Sequence, residues 1–309
     1  MRAYALTAEN AAPALVDVPT PEPGPGEVRV RVHAASVNGF DLAVAGGLTK
    51  GMMEHRYPLV LGKDFAGEVD AVGTGVEDYA VGDRVFGVVT KDSLGDGSLA
   101  DYVTVSPGKG LAKMPDSVEF TNAAALGLAG AAAYQAVAGA ALQPGQVVLI
   151  VGATGGVGTQ VVQLAKAAGA TVLATAGTEV EAHLLTSLGA DTVIDRTGDV
   201  LAQVRVAVPE GVDAVVHLAG DVDVLGAVKD GGRFVSTLVM DPSQLPSETV
   251  TVVPVYAAAS TALLNTIARF HADGTTRIVV QAVYPFAQVD QAFAAFAAGT
   301  IGKLVVTIA

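Results

Sequence analysis

The chain has 309 residues, long for a single core and suited to two domains of ordinary size. Hydrophobic residues make up 51% and charged residues 16%, which excludes a disordered chain, and with aromatics at 5% and no Trp the interior must be built from Ala, Val and Leu. With 18 Lys plus Arg against 31 Asp plus Glu, the net charge of −13 argues against nucleic acid or an anionic membrane as a partner, while the absence of Cys excludes disulfides, thiolate metal sites and a Cys nucleophile.

Nothing behind Arg2 resembles the apolar core of a secretory signal, and a cytoplasmic address is expected. Residues 1–115 are written in short β-rich runs, 27–34, 66–72, 84–89 and 100–105, punctuated by turns such as Pro21-Glu22-Pro23-Gly24-Pro25-Gly26 and Val81-Gly82-Asp83. They predict a compact β domain. The Ala-rich stretch 122–142, interrupted by Gly127, Gly130, Gln135 and Gly139, reads as one buried helix and not a membrane span. Strands and helices then alternate: 147–151, 156–168, 171–175, 179–188 and 192–194, followed by strands at 214–217 and 233–237. That alternation implies βαβ units and a parallel sheet. The chain closes with a helix at 260–271, a strand at 277–283, a helix at 289–298 and a strand at 304–308.

The strongest local signal is the apolar strand Val147-Val148-Leu149-Ile150-Val151, which runs into Gly152-Ala153-Thr154-Gly155-Gly156-Val157-Gly158 and then an amphipathic helix. Strand, glycine turn and helix form the setting that a dinucleotide-binding loop requires. Small residues let the backbone approach a pyrophosphate, and the helix N-terminus offers unpaired N–H groups and the positive end of its dipole. Ala153, Thr154, Gly155, Gly156, Val157 and Gly158 are therefore candidate cofactor contacts on a Rossmann unit.

An NAD-selective unit places an acid at the end of its second strand for the ribose 2′-hydroxyl. Here Thr175-Ala176-Gly177-Thr178 has no carboxylate before Glu179, which points to NADPH over NADH. Arg196, just after the third strand, is the candidate cation for a 2′-phosphate; the alternative is a surface Arg paired with Asp195 or Asp199. Gly177, Thr178, Leu218 and Gly220 complete the candidate cofactor set.

The chain resembles the zinc-free, quinone-oxidoreductase (zeta-crystallin-like) branch of the medium-chain dehydrogenase/reductase superfamily. The likeness is carried by residues 21–28, Ala35-Ser36-Val37-Asn38-Gly39-Phe40-Asp41, Pro58-Leu59-Val60-Leu61-Gly62-Lys63-Asp64-Phe65-Ala66-Gly67, Val81-Gly82-Asp83-Arg84-Val85, the glycine loop, and Gly302-Lys303-Leu304-Val305-Val306. It implies an α/β fold: a GroES-like catalytic domain from residues 1–120 and 258–309 around an inserted Rossmann domain with a doubly wound parallel sheet, residues 121–257. It also implies a homodimer, for which the β-branched run 250–255 offers an edge to pair.

Zinc-dependent relatives hold catalytic zinc at positions that match Asn38, Lys63 and about Leu128. An amide, an ammonium and an alkyl chain make a poor zinc shell, so no metal site is expected. Without a Lewis acid, reduction of an already activated acceptor, a quinone or an enone, becomes the expected chemistry. The resemblance places Asn38 and Lys63 where the family lines its cleft, as donors suited to an enolate-like oxygen, with Asp41 orienting one of them or the ribose. Each also has a structural reading: Asn38 as a loop former, Lys63 paired with Asp64, Asp41 as the N-cap of a short helix. Three positions depart from relatives: Thr49 stands near a Tyr of enoyl-thioester reductases, Glu181 where a Lys often reads the NADP phosphate, and Ala132 where a Thr lies near the nicotinamide. The leading expectation is an NADPH-dependent, zinc-independent reductase of small electrophiles. The alternatives are a biosynthetic enoyl reductase and a non-catalytic NADPH-binding redox sensor.

Overall fold

The computed structural model describes residues 1–309. In chain order the elements are β1 (Arg2–Leu6), β2 (Ala14–Asp17), β3 (Val28–Ser36), α1 (Gly39–Ala45), β4 (Glu54–His55), β5 (Leu59–Val60), β6 (Asp64–Val72), β7 (Arg84–Val88), β8 (Ser93–Leu94), β9 (Tyr102–Val105) and β10 (Leu111–Lys113). Next come α2 (Phe120–Ala124), α3 (Gly127–Ala140), β11 (Val147–Val151), α4 (Gly156–Ala167), β12 (Thr171–Ala176), α5 (Glu179–Ser187), β13 (Thr192–Asp195), α6 (Val200–Ala207), β14 (Val212–His217), β15 (Val228–Ser236) and β16 (Thr251–Pro254). The chain ends with α7 (Thr261–Ala272), β17 (Val280–Pro285), α8 (Val289–Ala297) and β18 (Lys303–Thr307). No helix is long and apolar enough to cross a membrane.

Two compact units form. The first comprises Met1–Ala131, Ala259–Asp273 and Val280–Ala309. Its main sheet runs β10-β7-β6-β3-β18-β17, with β9 also paired to β3. Along β3, Val28, Val30 and Val32 alternate into a core shared with Phe65, Val85, Leu111, Leu304 and Val306. That period-two pattern is what makes the segment a half-buried strand.

The second unit comprises Ala132–Ala258 and Gly274–Val279. Its six-stranded sheet is parallel throughout, in the order β13-β12-β11-β14-β15-β16. The order reverses between β11 and β14, the switch point at which such sheets bind ligands outside the carboxyl ends of their strands. β11 is buried from both sides: Val148 and Ile150 pack with Val161, Val162 and Ala165 of α4, whereas Leu149 and Val151 pack with Val204 of α6 and Phe234 of β15. This explains why the strand reads as a continuous apolar run.

The unit boundaries differ from those drawn on sequence, for local reasons. Residues 121–131 belong with the first unit because α2 packs on β3 and β6. Residues 274–279 belong with the second because the backbone of Arg277 is held by Gln160 and Gln163 of α4, which also delays the following strand to Val280. The single helix expected at 122–142 is two, broken at Ala125 and Leu126. The Asp64 carboxylate causes the break by accepting from the Leu128 N–H at 2.7 Å, so it caps the first turn of α3. Gly127 is required there, since a Cβ would lie 2.6 Å from Asp64 Oδ1.

Candidate functional site

In the second unit, β11 ends into Gly152, whose φ of +83° suits glycine and whose N–H donates to Thr175 Oγ1 at 3.1 Å, which ties the turn to β12. Gly155 is the N-cap of α4 and no side chain caps that helix; the N–H groups of Gly156, Val157 and Gly158 find no acceptor in the chain. Three free donors thus stand at the positive end of a 12-residue helix, at the switch point. A Cβ on Gly155 would meet only Gly152 O at 3.7 Å, so that side is open, whereas one on Gly158 would lie 2.2 Å from Gly152 O and 2.6 Å from Ala153 Cα. Gly158 is the close-packing glycine of the turn. Ala153 beneath it and Thr154 are both buried. An anionic pyrophosphate fits this cradle.

Beside it, Thr178 caps α5 by accepting from the Glu181 N–H at 3.2 Å. The Glu181 carboxylate folds back to accept from the Gly177 N–H at 2.5 Å and from Arg196 Nη2 at 3.1 Å. This corrects both partners considered for Arg196: Asp195 is engaged by Thr197, and Asp199 caps α6. Gly177 permits the pairing, because a Cβ there would come within 2.6 Å of the Arg196 Cζ. The Arg196 side chain remains 51% exposed, so part of its guanidinium is free for a further anion. Leu218 N–H donates to Val151 O at 3.0 Å, which lays the segment after β14 against the end of β11, and Gly220 turns that segment with a φ of +77°.

In the first unit, a buried polar cluster gathers at the ends of β3, β6 and β18. Asp64 Oδ2 accepts from Ser36 Oγ at 2.7 Å, Asn38 Nδ2 at 2.9 Å and Lys303 Nζ at 3.4 Å. Lys303 also donates to Asn38 Oδ1 at 2.6 Å. The second hydrogen of Asn38 Nδ2 points to Ser36 O at 3.3 Å, so neither amide hydrogen is left for a ligand. Asn38, expected as a donor to substrate, is committed inside the protein. It is also the N-cap of α1, the place one sequence reading gave to Asp41; Asp41 sits three residues on and accepts from the Asn38 N–H at 2.8 Å, the back-reaching arm of a capping box. Burial raises the Asp41 carboxyl to about 7 against the pull of that N–H, with the field of Asp64 adding to the rise.

Lys63 differs from its neighbours. Its ammonium pairs with neither Asp64 nor any other carboxylate and lies 5.2 Å from the centre of the Phe40 ring. Burial holds it below the usual lysine range, opposed by the fields of Asp41 and Asp64. It is a partly buried cation with unspent donors. The sequence reading missed Ser36, Asp64 and Lys303 as members of the cluster. Lys303 carries a signal in hindsight, a charged residue at the head of an otherwise apolar strand. No three His, Asp or Glu side chains gather as a metal site, and the three positions compared with zinc ligands hold an amide, an ammonium and an alkyl chain.

A Rossmann-type sheet with an open anion cradle, together with a GroES-like β unit, defines a dinucleotide-dependent oxidoreductase. Residues 24–116 match the family described as alcohol dehydrogenase GroES-like domain, and residues 188–306 that described as zinc-binding dehydrogenase. The chain is 30% identical over 295 residues to a quinone oxidoreductase of Sus scrofa, covering 90% of this chain and 88% of that protein. It is 36% identical over 212 residues to a chloroplastic NADPH-dependent alkenal/one oxidoreductase of Arabidopsis thaliana, covering 66% of this chain and 53% of that one. Among solved structures it superposes with a TM-score of 0.86 on the quinone oxidoreductase from Coxiella burnetii, at 28% identity over 100% of this chain and 98% of that one. The chain belongs to the medium-chain dehydrogenase/reductase superfamily, in its quinone-oxidoreductase branch, and is an oxidoreductase enzyme.

Proposed function

We propose that the protein is an NADPH-dependent, zinc-independent reductase of quinones and other activated alkenes such as enones, with NADH serving less well. The observation that carries this reading is the uncapped amino end of α4 at the switch point of a parallel sheet. Gly156, Val157 and Gly158 would hold the pyrophosphate, with Ala153, Thr154 and Gly155 shaping the turn. Gly177, Thr178 and Arg196 would receive the adenosine ribose and its 2′-phosphate, and Leu218 and Gly220 the other half of the cofactor. When bound, a nicotinamide dinucleotide supplies the hydride.

The chain's own part is to position the acceptor and stabilise charge on its oxygen. Lys63 is the residue for that, since its donors are unspent and its lowered proton affinity eases proton release. Asn38 becomes a positioning residue: with Asp64, Ser36 and Lys303 it fixes the end of β3 and the start of α1. Asp41 faces Lys63 electrostatically and tunes its charge. The relatives named for quinones and alkenals support the acceptor class. The test is to follow oxidation of NADPH and of NADH with a panel of quinones, enones and enoyl thioesters. Faster turnover of quinones and enones with NADPH supports the reading; cofactor binding without oxidation by any acceptor would overturn it.

A further inference from the structure

His217 is buried at the carboxyl end of β14, 1% exposed, and the chemistry described so far gives it no task. Its ring lies against Phe234, with centroids 5.2 Å apart; Nδ1 faces Ser236 Oγ at 3.0 Å and Nε2 faces Gly220 O at 3.0 Å. The Ser236 hydroxyl already accepts from the Leu238 and Val239 N–H groups, each at 3.0 Å. A hydroxyl has two lone pairs and one hydrogen. With both lone pairs used, its hydrogen goes to His217 Nδ1, and the ring proton must sit on Nε2 and be donated to Gly220 O. The ring is therefore neutral and held in one tautomer. Burial favours that neutral state, lowering the imidazole against the opposing pull of the Gly220 and Asp221 backbone and the field of the Asp221 carboxylate.

The consequence lies in what the ring joins. One imidazole fastens the turn after β14, through Gly220, to the turn after β15, through Ser236, while Leu218 N–H and Val151 O bind the first of these turns to the end of β11. Both turns stand at the carboxyl edge of the sheet, on the far side of the switch point from β12, β13 and Arg196. A dinucleotide bridges a switch point with one half on each side.

We propose that His217 is a positioning residue for the cofactor: in its Nε2–H form it sets the turn carrying Leu218 and Gly220, and thereby the seat of the nicotinamide half, without touching the adenosine half. This rests on the reading of the glycine turn as a dinucleotide site. The test is calorimetric binding of NADP⁺ and of adenosine 2′,5′-bisphosphate, which lacks the nicotinamide half, to the wild type, His217→Leu and His217→Gln, each checked by its melting curve. His217→Leu should weaken NADP⁺ by about tenfold, the size of one or two lost hydrogen bonds, and leave the bisphosphate within about twofold. His217→Gln keeps an N–H for Gly220 O and should recover part of the loss. Should His217→Leu fail to fold, Ser236→Ala, which removes the hydroxyl that orients the ring, is to show the same selective loss. Equal weakening of both ligands, or of neither, overturns the role of His217. A wild type that binds neither ligand would instead overturn the cofactor reading.

Discussion

The chemistry proposed for single residues rests on Lys63. A cation aimed at an oxygen on which charge develops lowers the barrier more than it strengthens ground-state binding. Lys63→Met should cut kcat on enones by roughly ten- to a thousandfold, with NADPH affinity nearly intact. Quinones should lose less, because a good quinone accepts hydride with little help. Steady-state kinetics on both acceptors decide this, and equal turnover by a folded variant would remove Lys63 from the mechanism. Asp41 gives a pH signature. Its carboxyl is raised to about 7 in the folded chain. The folded state therefore holds that proton more tightly than the unfolded one, and the stability it lends is present at low pH and lost as pH rises through about 7. Asp41→Asn lacks the loss, so its melting temperature should rise relative to the wild type between about pH 5 and about pH 8; a constant difference would contradict the buried-acid assignment. At the ribose end, Arg196→Ala should weaken NADPH by about tenfold and spare NADH, as expected for one charge-assisted contact. Glu181→Gln should shift preference further toward NADPH by removing a negative charge beside the phosphate seat, and binding of both cofactors to each variant measures it.

At the scale of elements, α4 and its turn were legible in the sequence because the signal is local: an apolar strand, a glycine turn and an amphipathic helix are contiguous. Gly158→Ala puts a methyl group 2.2 Å from Gly152 O, against backbone that cannot rotate away. The expected cost is about 1–3 kcal/mol of stability together with loss of cofactor affinity, read from a melting curve and a binding isotherm. The alternation of β3 and the parallel βαβ order were legible for the same reason. What was not legible came from contacts distant in sequence. Lys303 reaches Asn38 across 265 positions, which uses up the amide that sequence reasoning had offered to substrate. Asp64 breaks the Ala-rich stretch into α2 and α3 across 64 positions; Gly127 stands at the break, but Gly130 and Gly139 lie inside α3, so glycine alone does not mark it. Arg196 was identified as a lone cation of the right type, but its partner Glu181 depends on the space that Gly177 leaves, a matter of packing and not of pattern.

For the whole molecule, the residue types at Asn38, Lys63 and Leu128 lead to the expectation that purified protein carries no stoichiometric zinc and keeps its activity after chelation. Metal analysis and activity before and after a chelator test this. β16 lies at the edge of its sheet, and its outer backbone groups have no strand to pair with, so a second copy aligned there would complete them and give the homodimer that the family resemblance implies; sedimentation equilibrium reads the mass. The central claim is that this chain moves hydride from a reduced nicotinamide to an activated carbon. The most direct measurement uses NADPH deuterated at the transferable position, an enone acceptor and the mass spectrum of the product. A single deuterium bound at the carbon β to the carbonyl is the predicted result, whereas a reduced product without deuterium, or no reduced product with any activated alkene or quinone, would contradict it.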